Sequence, residues 1–219
     1  MPERATPAVR TAAPEISLGN GVTVAELLNS PALRQRRLSI TGTLDGTAAG
    51  QGEAWYVIAG SGELRDTVPL RPGTAVWLPG TAAYQVAGAG LHVLAVTLLA
   101  PDIGTACCFT HFDDCEPEYT GDREFRVLLS AGLTLTMFNG RIPPGRAPEH
   151  QHTYDEVVHI LAGHGVVHLD GSATPIGPGT SIYLPPYQPH CLENTGDGVL
   201  EVLGVFHPAG SPAAKAAAP

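Results

Sequence analysis

The chain has 219 residues, enough for one large domain or two compact ones of about 100 residues each. Gly (26) and Pro (20) are abundant and charged residues make up only 15%, which fits short strands joined by tight turns and excludes helical bundles and coiled coils. Hydrophobic residues at 43% supply a core and exclude wholesale disorder, and a net charge of −9 sets the chain against a phosphate backbone, so no nucleic-acid partner is expected.

Residues 1–16 are rich in Ala, Pro and Thr and are expected to form a disordered arm. They contain no apolar segment flanked by basic residues, so no signal peptide and a cytoplasmic location are expected. The stretch VTVAELLNSPAL from Val22 to Leu33 predicts a short amphipathic helix with Thr23 as its N-cap. From Leu38 to Leu99 the text is strand-like, with Gly-rich turns, and 17–105 is taken as a first domain. Its longest apolar run, Leu91 to Ala100, is about half of what a membrane helix needs, so no membrane partner is expected. Residues 106–122 read as a polar, acidic linker, 123–209 as a second strand-rich domain, and 210–219 as a flexible tail. Cys107, Cys108, Cys115 and Cys191 form no CxxC pair and are expected to be reduced thiols.

The two strand-rich regions share spacings, which points to a duplicated all-β unit. Glu53 precedes Gly60 as Glu156 precedes Gly163; Gly73 precedes Pro79 as Gly179 precedes Pro185; Tyr84 falls where the second copy has His190. The text agrees as well, EAWYVIAGSGEL with EVVHILAGHGVVHL and RPGTAVWLPG with GPGTSIYLPP.

The second copy carries His150, His152 and Glu156, with His190 further on. In a regular strand, residues 150, 152, 154 and 156 share one face, which puts two imidazoles and a carboxylate on one wall. His190, after a Pro-Pro turn, can supply a third imidazole from another strand. Three imidazoles and a carboxylate suit a divalent first-row ion and leave two positions open in an octahedron. His159 lies on the opposite parity and is expected at a surface or interface, while His164 and His168 flank a Gly turn and are expected to pack. His92, His111 and His207 have no spacing partner.

The stretch GRAPEHQHTYDEVVHILAG resembles the first cupin motif, with four rather than five residues between Gly145 and His150. GTSIYLPPYQPHCLEN resembles the second, with Tyr187 where that family commonly has Gly. The resemblance implies an all-β bicupin, two tandem jelly-roll barrels with little helix. It implies His150, His152, Glu156 and His190 as ligands of one divalent transition metal, Fe2+ favoured over Mn2+, Ni2+, Co2+ or Zn2+. In the first copy the positions matching the two HxH histidines are Thr47 and Ala49, so that barrel is expected to be metal-free and to serve packing, dimerisation or lidding.

The implied activity is that of a dioxygenase-type enzyme acting on a small organic substrate with dioxygen. A metal-dependent isomerase, decarboxylase or lyase is the alternative, and a non-catalytic binding module a third reading; a homodimer stays open. Glu156 and Tyr154 are the candidate proton acceptors. Arg146 is the nearest cation for an anionic substrate, and Met137, Phe138 and Tyr183 are candidates for the barrel lining. Asn194 is expected to fix the geometry beside His190.

Overall fold

The computed structural model describes residues 5–65, 67–100 and 106–213. These residues form two compact units: one built from residues 13–115, the other from residues 116–213 together with residues 5–12. Both are antiparallel and all-β; the helical content among the described residues is one 3₁₀ turn at Phe112–Asp114.

In chain order the strands are β1 (Ala8–Arg10), β2 (Glu15–Gly19), β3 (Val22–Asn29), β4 (Leu33–Ile40), β5 (Thr43–Thr47), β6 (Gly52–Leu64), β7 (Val68–Leu70), β8 (Thr74–Pro79), β9 (Ala83–Leu98) and β10 (Cys108–His111). They continue as β11 (Glu118–Thr120), β12 (Arg123–Ser130), β13 (Thr136–Ile142), β14 (Gly145–Arg146), β15 (Asp155–Ala162), β16 (Gly165–Leu169), β17 (Ser172–Ile176), β18 (Ser181–Leu184), β19 (His190–Asn194) and β20 (Leu200–His207).

The 13–115 unit is a nine-stranded sheet in the order β10-β8-β6-β9-β4-β3-β2, with β5 on β9 and β7 on β6. Its core gathers Ile40, Trp55, Leu78, Leu91 and Val93, all at most 1% exposed. The helix expected over Val22 to Leu33 is instead β3, a turn and the start of β4. Val22, Thr23 and Val24 are β-branched and favour a strand, and the four residues AELL are too few to nucleate a helix. A bulge between Glu26 and Leu28 lets Leu27 and Leu28 both turn inward, which mimics helical spacing. Ser30 closes the turn: its hydroxyl donates to the Leu33 carbonyl and accepts from the Leu33 amide.

The second unit has a seven-stranded sheet, β1-β18-β15-β20-β13-β12-β11, and a four-stranded sheet, β14-β19-β16-β17. Their inner faces share a core of Val158, Ile160, Val167, Ile182, Leu192 and Val202. Each such side chain contributes about 1.5–3 kcal/mol on burial. The first strand belongs to this sheet: Ala8, Val9 and Arg10 pair with Tyr183, Ile182 and Ser181. The expected disordered arm therefore contains two strands, because main-chain pairing to a free edge needs no apolar alternation; residues 1–4 lie outside the described ones. The expected linker likewise carries β10, which pairs with β8, and β11, which pairs with β12; 101–105 lie outside the described residues, as do 214–219 of the expected tail.

Matched positions of the repeat share backbone conformation. Gly60 and Gly163 have φ of +75° and +82°, and a Cβ at either would meet a backbone oxygen, of Gly90 at 1.9 Å or of Val199 at 2.6 Å. The four cysteines are free thiols, Cys191 buried.

Candidate metal centre

His150 and His190 are paired directly through their backbones: the His150 amide donates to the His190 carbonyl at 3.0 Å, and the reverse bond is 2.9 Å. This pairing sets the two imidazoles side by side with ring centroids 4.3 Å apart. The chain between 150 and 154 is irregular rather than a continuous strand, and β15 begins only at Asp155. His152 still converges, 4.9 Å from His150 and 5.5 Å from His190 between centroids, because its carbonyl accepts from the Tyr187 amide at 2.7 Å. Tyr187 adopts φ +61°, the left-handed conformation that glycine takes without strain.

The potential ligand atoms of the three imidazoles lie within 4.8 Å of one another. Two ligands each ~2.1 Å from one ion span at most ~4.2 Å, so the imidazoles must draw closer to share one ion. Two backbone carbonyls select which imidazole nitrogen is left to ligate. His190 Nδ1 faces the Gln188 carbonyl at 2.8 Å and His150 Nδ1 the Pro148 carbonyl at 3.1 Å, which leaves each Nε2 for the centre.

Glu156 Oε2 is buried, has no hydrogen-bond partner among the described residues, and stands 3.6 Å from His152 Nε2 and 3.5 Å from His190 Nε2. Those separations are too long for hydrogen bonds and fit atoms aimed at a common point. Burial pushes the Glu156 carboxyl up to about 8. Burial, then the His150 imidazole, pulls His190 down to about 4, against the Gln188 carbonyl. A cation among these atoms suits neutral imidazoles and supplies the countercharge that a buried carboxylate lacks. The donor set therefore fits a divalent ion.

A cavity of about 110 Å³, partly open to solvent, adjoins the cluster. His150, His152, Glu156 and His190 form one part of its wall; Phe125, Phe138, Val158, Leu184, Leu192 and Phe206 form an apolar part. Phe138 reaches it because β20 has Gly204 opposite in register, where a Cβ would lie 2.1 Å from the ring.

Four expected contacts lie elsewhere. Met137 is fully buried on the other face of β13, since alternation gives the cavity to Phe138. Tyr183 has the opposite parity to Leu184 and donates its hydroxyl to Asp155 Oδ1 at 2.5 Å. Arg146, on β14, is exposed and donates from Nε to Cys191 Sγ at 3.3 Å. Tyr154 does not share the cavity face, because the chain before Asp155 is not a regular strand. Its ring stacks on His152 at 4.9 Å, and its hydroxyl donates to the Ser211 carbonyl at 3.1 Å. Burial, then Glu156, raises that phenol, so it holds its proton and supports the His152 ring. His159, expected at a surface or interface, is 4% exposed and bonds Ser181 Oγ at 2.8 Å. Asn194 donates to the Ile142 and Gly198 carbonyls at 2.8 and 2.7 Å and so fixes the strand end beyond His190.

The matched position in the 13–115 unit is differently occupied. Glu53, 2% exposed, accepts from Arg36 Nη2 at 3.0 Å and from Trp55 Nε1 at 2.9 Å. Arg36 also donates to Thr97 Oγ1 at 3.3 Å. Tyr84, which matches His190 in the repeat, packs on Trp55 with centroids 4.9 Å apart. A guanidinium, which the sequence motifs do not flag, thus supplies the positive charge beside this carboxylate.

A cupin-domain profile matches residues 138–206. The uncharacterized protein MJ1618 of Methanocaldococcus jannaschii is 32% identical over 106 residues, 45% of this chain and 85% of that protein. The oxalate-binding protein of Thermotoga maritima is 37% identical over 68 residues, 30% of this chain and 56% of that one. The Bacillus subtilis oxalate decarboxylase, a protein with Mn(II) centres, superimposes with a TM-score of 0.73 at 14% identity, over 94% of this chain and 78% of its own. No helix among the described residues is long and apolar enough to cross a membrane. The chain, an all-β protein of two tandem jelly-roll barrels, belongs to the cupin superfamily.

Proposed function

We propose that the protein is a metal-dependent enzyme acting on a small organic substrate. His150, His152 and His190 hold one divalent transition-metal ion, with Glu156 as fourth donor. The observation that carries this reading is the buried, unbonded Glu156 oxygen facing two imidazole Nε2 atoms beside a third imidazole and an apolar cavity. When bound, such an ion supplies Lewis acidity and, if redox-active, a route to dioxygen. The carbonyls of Pro148 and Gln188 orient His150 and His190, Tyr154 supports the His152 ring, and the Phe125, Phe138 and Phe206 walls exclude water. A dioxygenase-type reaction is the reading adopted, because an octahedral ion held by these four donors would keep two positions for substrate and dioxygen.

A non-redox decarboxylase or lyase is the second reading, favoured by the likeness to oxalate decarboxylase. The arrangement is a bicupin whose first barrel is silent: Arg36 neutralises Glu53 where the second barrel presents three histidines.

Elemental analysis of purified protein, with His150→Ala and His190→Ala variants, tests the centre. One equivalent of metal per chain, lost in both variants, is expected; wild-type protein without metal, or variants that retain it, refute the proposal. Oxygen-electrode assays on the loaded enzyme with short oxo- and hydroxy-acids separate the two reactions. Turnover with oxygen uptake is expected, and turnover without it selects the second reading.

A further inference from the structure

Besides the histidine cluster, the cavity wall carries a second polar feature formed by the β11–β12 hairpin. Thr120 and Arg123 are register partners across this hairpin, and both line the cavity. Arg123 has the parity of Phe125, which lies opposite Gly140 and faces the same space. Arg123 is half-buried, and its guanidinium makes no hydrogen bond or ion pair with the described residues. Thr120 Oγ1 is buried and also has no hydrogen-bond partner among them.

Glu124 lines the cavity too, but its Oε1 accepts from Arg126 Nε at 3.1 Å. Arg141, a further lining residue, has Glu124 and Glu201 as register partners and the opposite parity to Gly140. Arg141 has no ion pair among the described residues either, but its parity on β13 is opposite to that of Phe138 and Gly140; Arg123, in line with Phe125, is the cation whose strand position faces the cavity. A guanidinium is always charged and offers a planar fork of donors that matches a carboxylate, and a hydroxyl beside it adds a third donor. An apolar wall lies in the same cavity, where such a contact is strengthened by low dielectric.

We propose that Arg123 and Thr120 bind the carboxylate of a short oxo- or hydroxy-acid in the cavity that His150, His152 and His190 also line. The proposal rests on the metal-centre reading for the acid's second oxygen function, and stands on the hairpin alone for its carboxylate. Size limits the class. A cavity of ~150 Å³ takes the six carbons of benzene; one of about 110 Å³ with an open side suits a three- or four-carbon acid.

Calorimetric titration of the Zn2+-loaded protein with pyruvate and with its neutral isostere pyruvamide is the test. Wild type is expected to bind pyruvate about 10- to 100-fold more tightly than the amide, the range of one or two charge-assisted hydrogen bonds. Arg123→Gln should lose that preference with its zinc content unchanged; Arg123→Lys should keep part of it, and Thr120→Val should weaken pyruvate a few-fold. Because Arg123 has no bonding partner to lose, Arg123→Gln should melt close to wild type. Equal binding of acid and amide by wild type, no binding of either, or a preference that survives in Arg123→Gln overturns the proposal. Failure of the metal-centre reading shows separately as wild type that takes up no zinc. The same pair of titrations on metal-free protein then asks whether Arg123 alone retains the carboxylate.

Discussion

Replacing Arg36 by methionine probes the 13–115 unit most directly. Glu53 lies 2% exposed in the 13–115 unit, with Arg36 at 3.0 Å and Trp55 Nε1 at 2.9 Å; the Ala49 amide, at 3.4 Å, is a weak third donor. Breaking a buried pair by removing one partner costs about 3–5 kcal/mol, because a buried charge is left uncompensated. Arg36 retains 23% side-chain exposure and Trp55 still donates, so the cost is reduced to about 2–3 kcal/mol, or roughly 10 °C in Tm for a unit of this size. The double variant Arg36→Met/Glu53→Gln removes the charge but keeps an acceptor for Trp55, and it should recover at least half of the loss. Both tryptophans of the chain, Trp55 and Trp77, fall in this unit, so urea unfolding followed by tryptophan fluorescence reads it selectively. An Arg36→Met variant within about 0.5 kcal/mol of wild type refutes the reasoning, since typical measurable losses exceed that. A double variant no better than the single one refutes it equally.

Gly204→Ala puts a methyl into the Phe138 ring and should cost about 1–3 kcal/mol while displacing that ring in the cavity; chemical denaturation checks the first and a crystal structure the second. Tyr154→Phe removes only the bond to the Ser211 carbonyl, so metal content should be unchanged and stability should fall by about 1 kcal/mol, a result inconsistent with a proton-transfer role if turnover is also kept. Without metal, Glu156 titrates near 8 in the folded chain and near 4.5 when unfolded, so above pH 4.5 the unfolded chain sheds its proton first and stability falls towards pH 8. Metal-free Glu156→Gln should therefore match wild type near pH 4.5 and exceed it at pH 8 by on the order of 3 kcal/mol, measured by urea denaturation in chelator. His190 acts in the opposite sense: its lowered value makes metal-free protein lose stability as pH falls from 6.5 towards 4, and His190→Ala should flatten that acidic limb.

The cluster of His150, His152, Glu156 and His190 was legible from motif spacing, although the expected regular strand from 150 to 156 is absent: the His150–His190 bridge and the Tyr187 amide on the His152 carbonyl bring the imidazoles together. The strand-rich repeat was legible for a similar reason: its turn glycines, such as Gly60 and Gly163, occupy backbone conformations that restrict the residue type. Arg36 was not legible. It reaches Glu53 across β9, where Ala95 faces both Arg36 and Trp55, and this strand order has no local signature. Arg146 is the cation nearest the HxH motif in sequence, yet Arg123 lines the cavity, because the register of β12 on β13 decides which side chains face inward. The Val22 to Leu33 helix failed at a bulge that let two adjacent leucines point the same way. Tyr154 failed because a parity argument needs a regular strand, and the chain is irregular until Asp155.

The pairing of β1 with β18 makes the unit that carries the histidine cluster discontinuous along the chain: residues before the first barrel complete the sheet of the second. A fragment starting at residue 116 would lack Ala8–Arg10 and leave the Ser181–Leu184 main chain as an open edge, a template for intermolecular strand addition. Dissecting the two barrels therefore calls for a fusion that restores this strand through a short loop, or for a separate peptide spanning residues 5–12. Self-association of the simple fragment would report a missing strand and not a dependence of one barrel on the other.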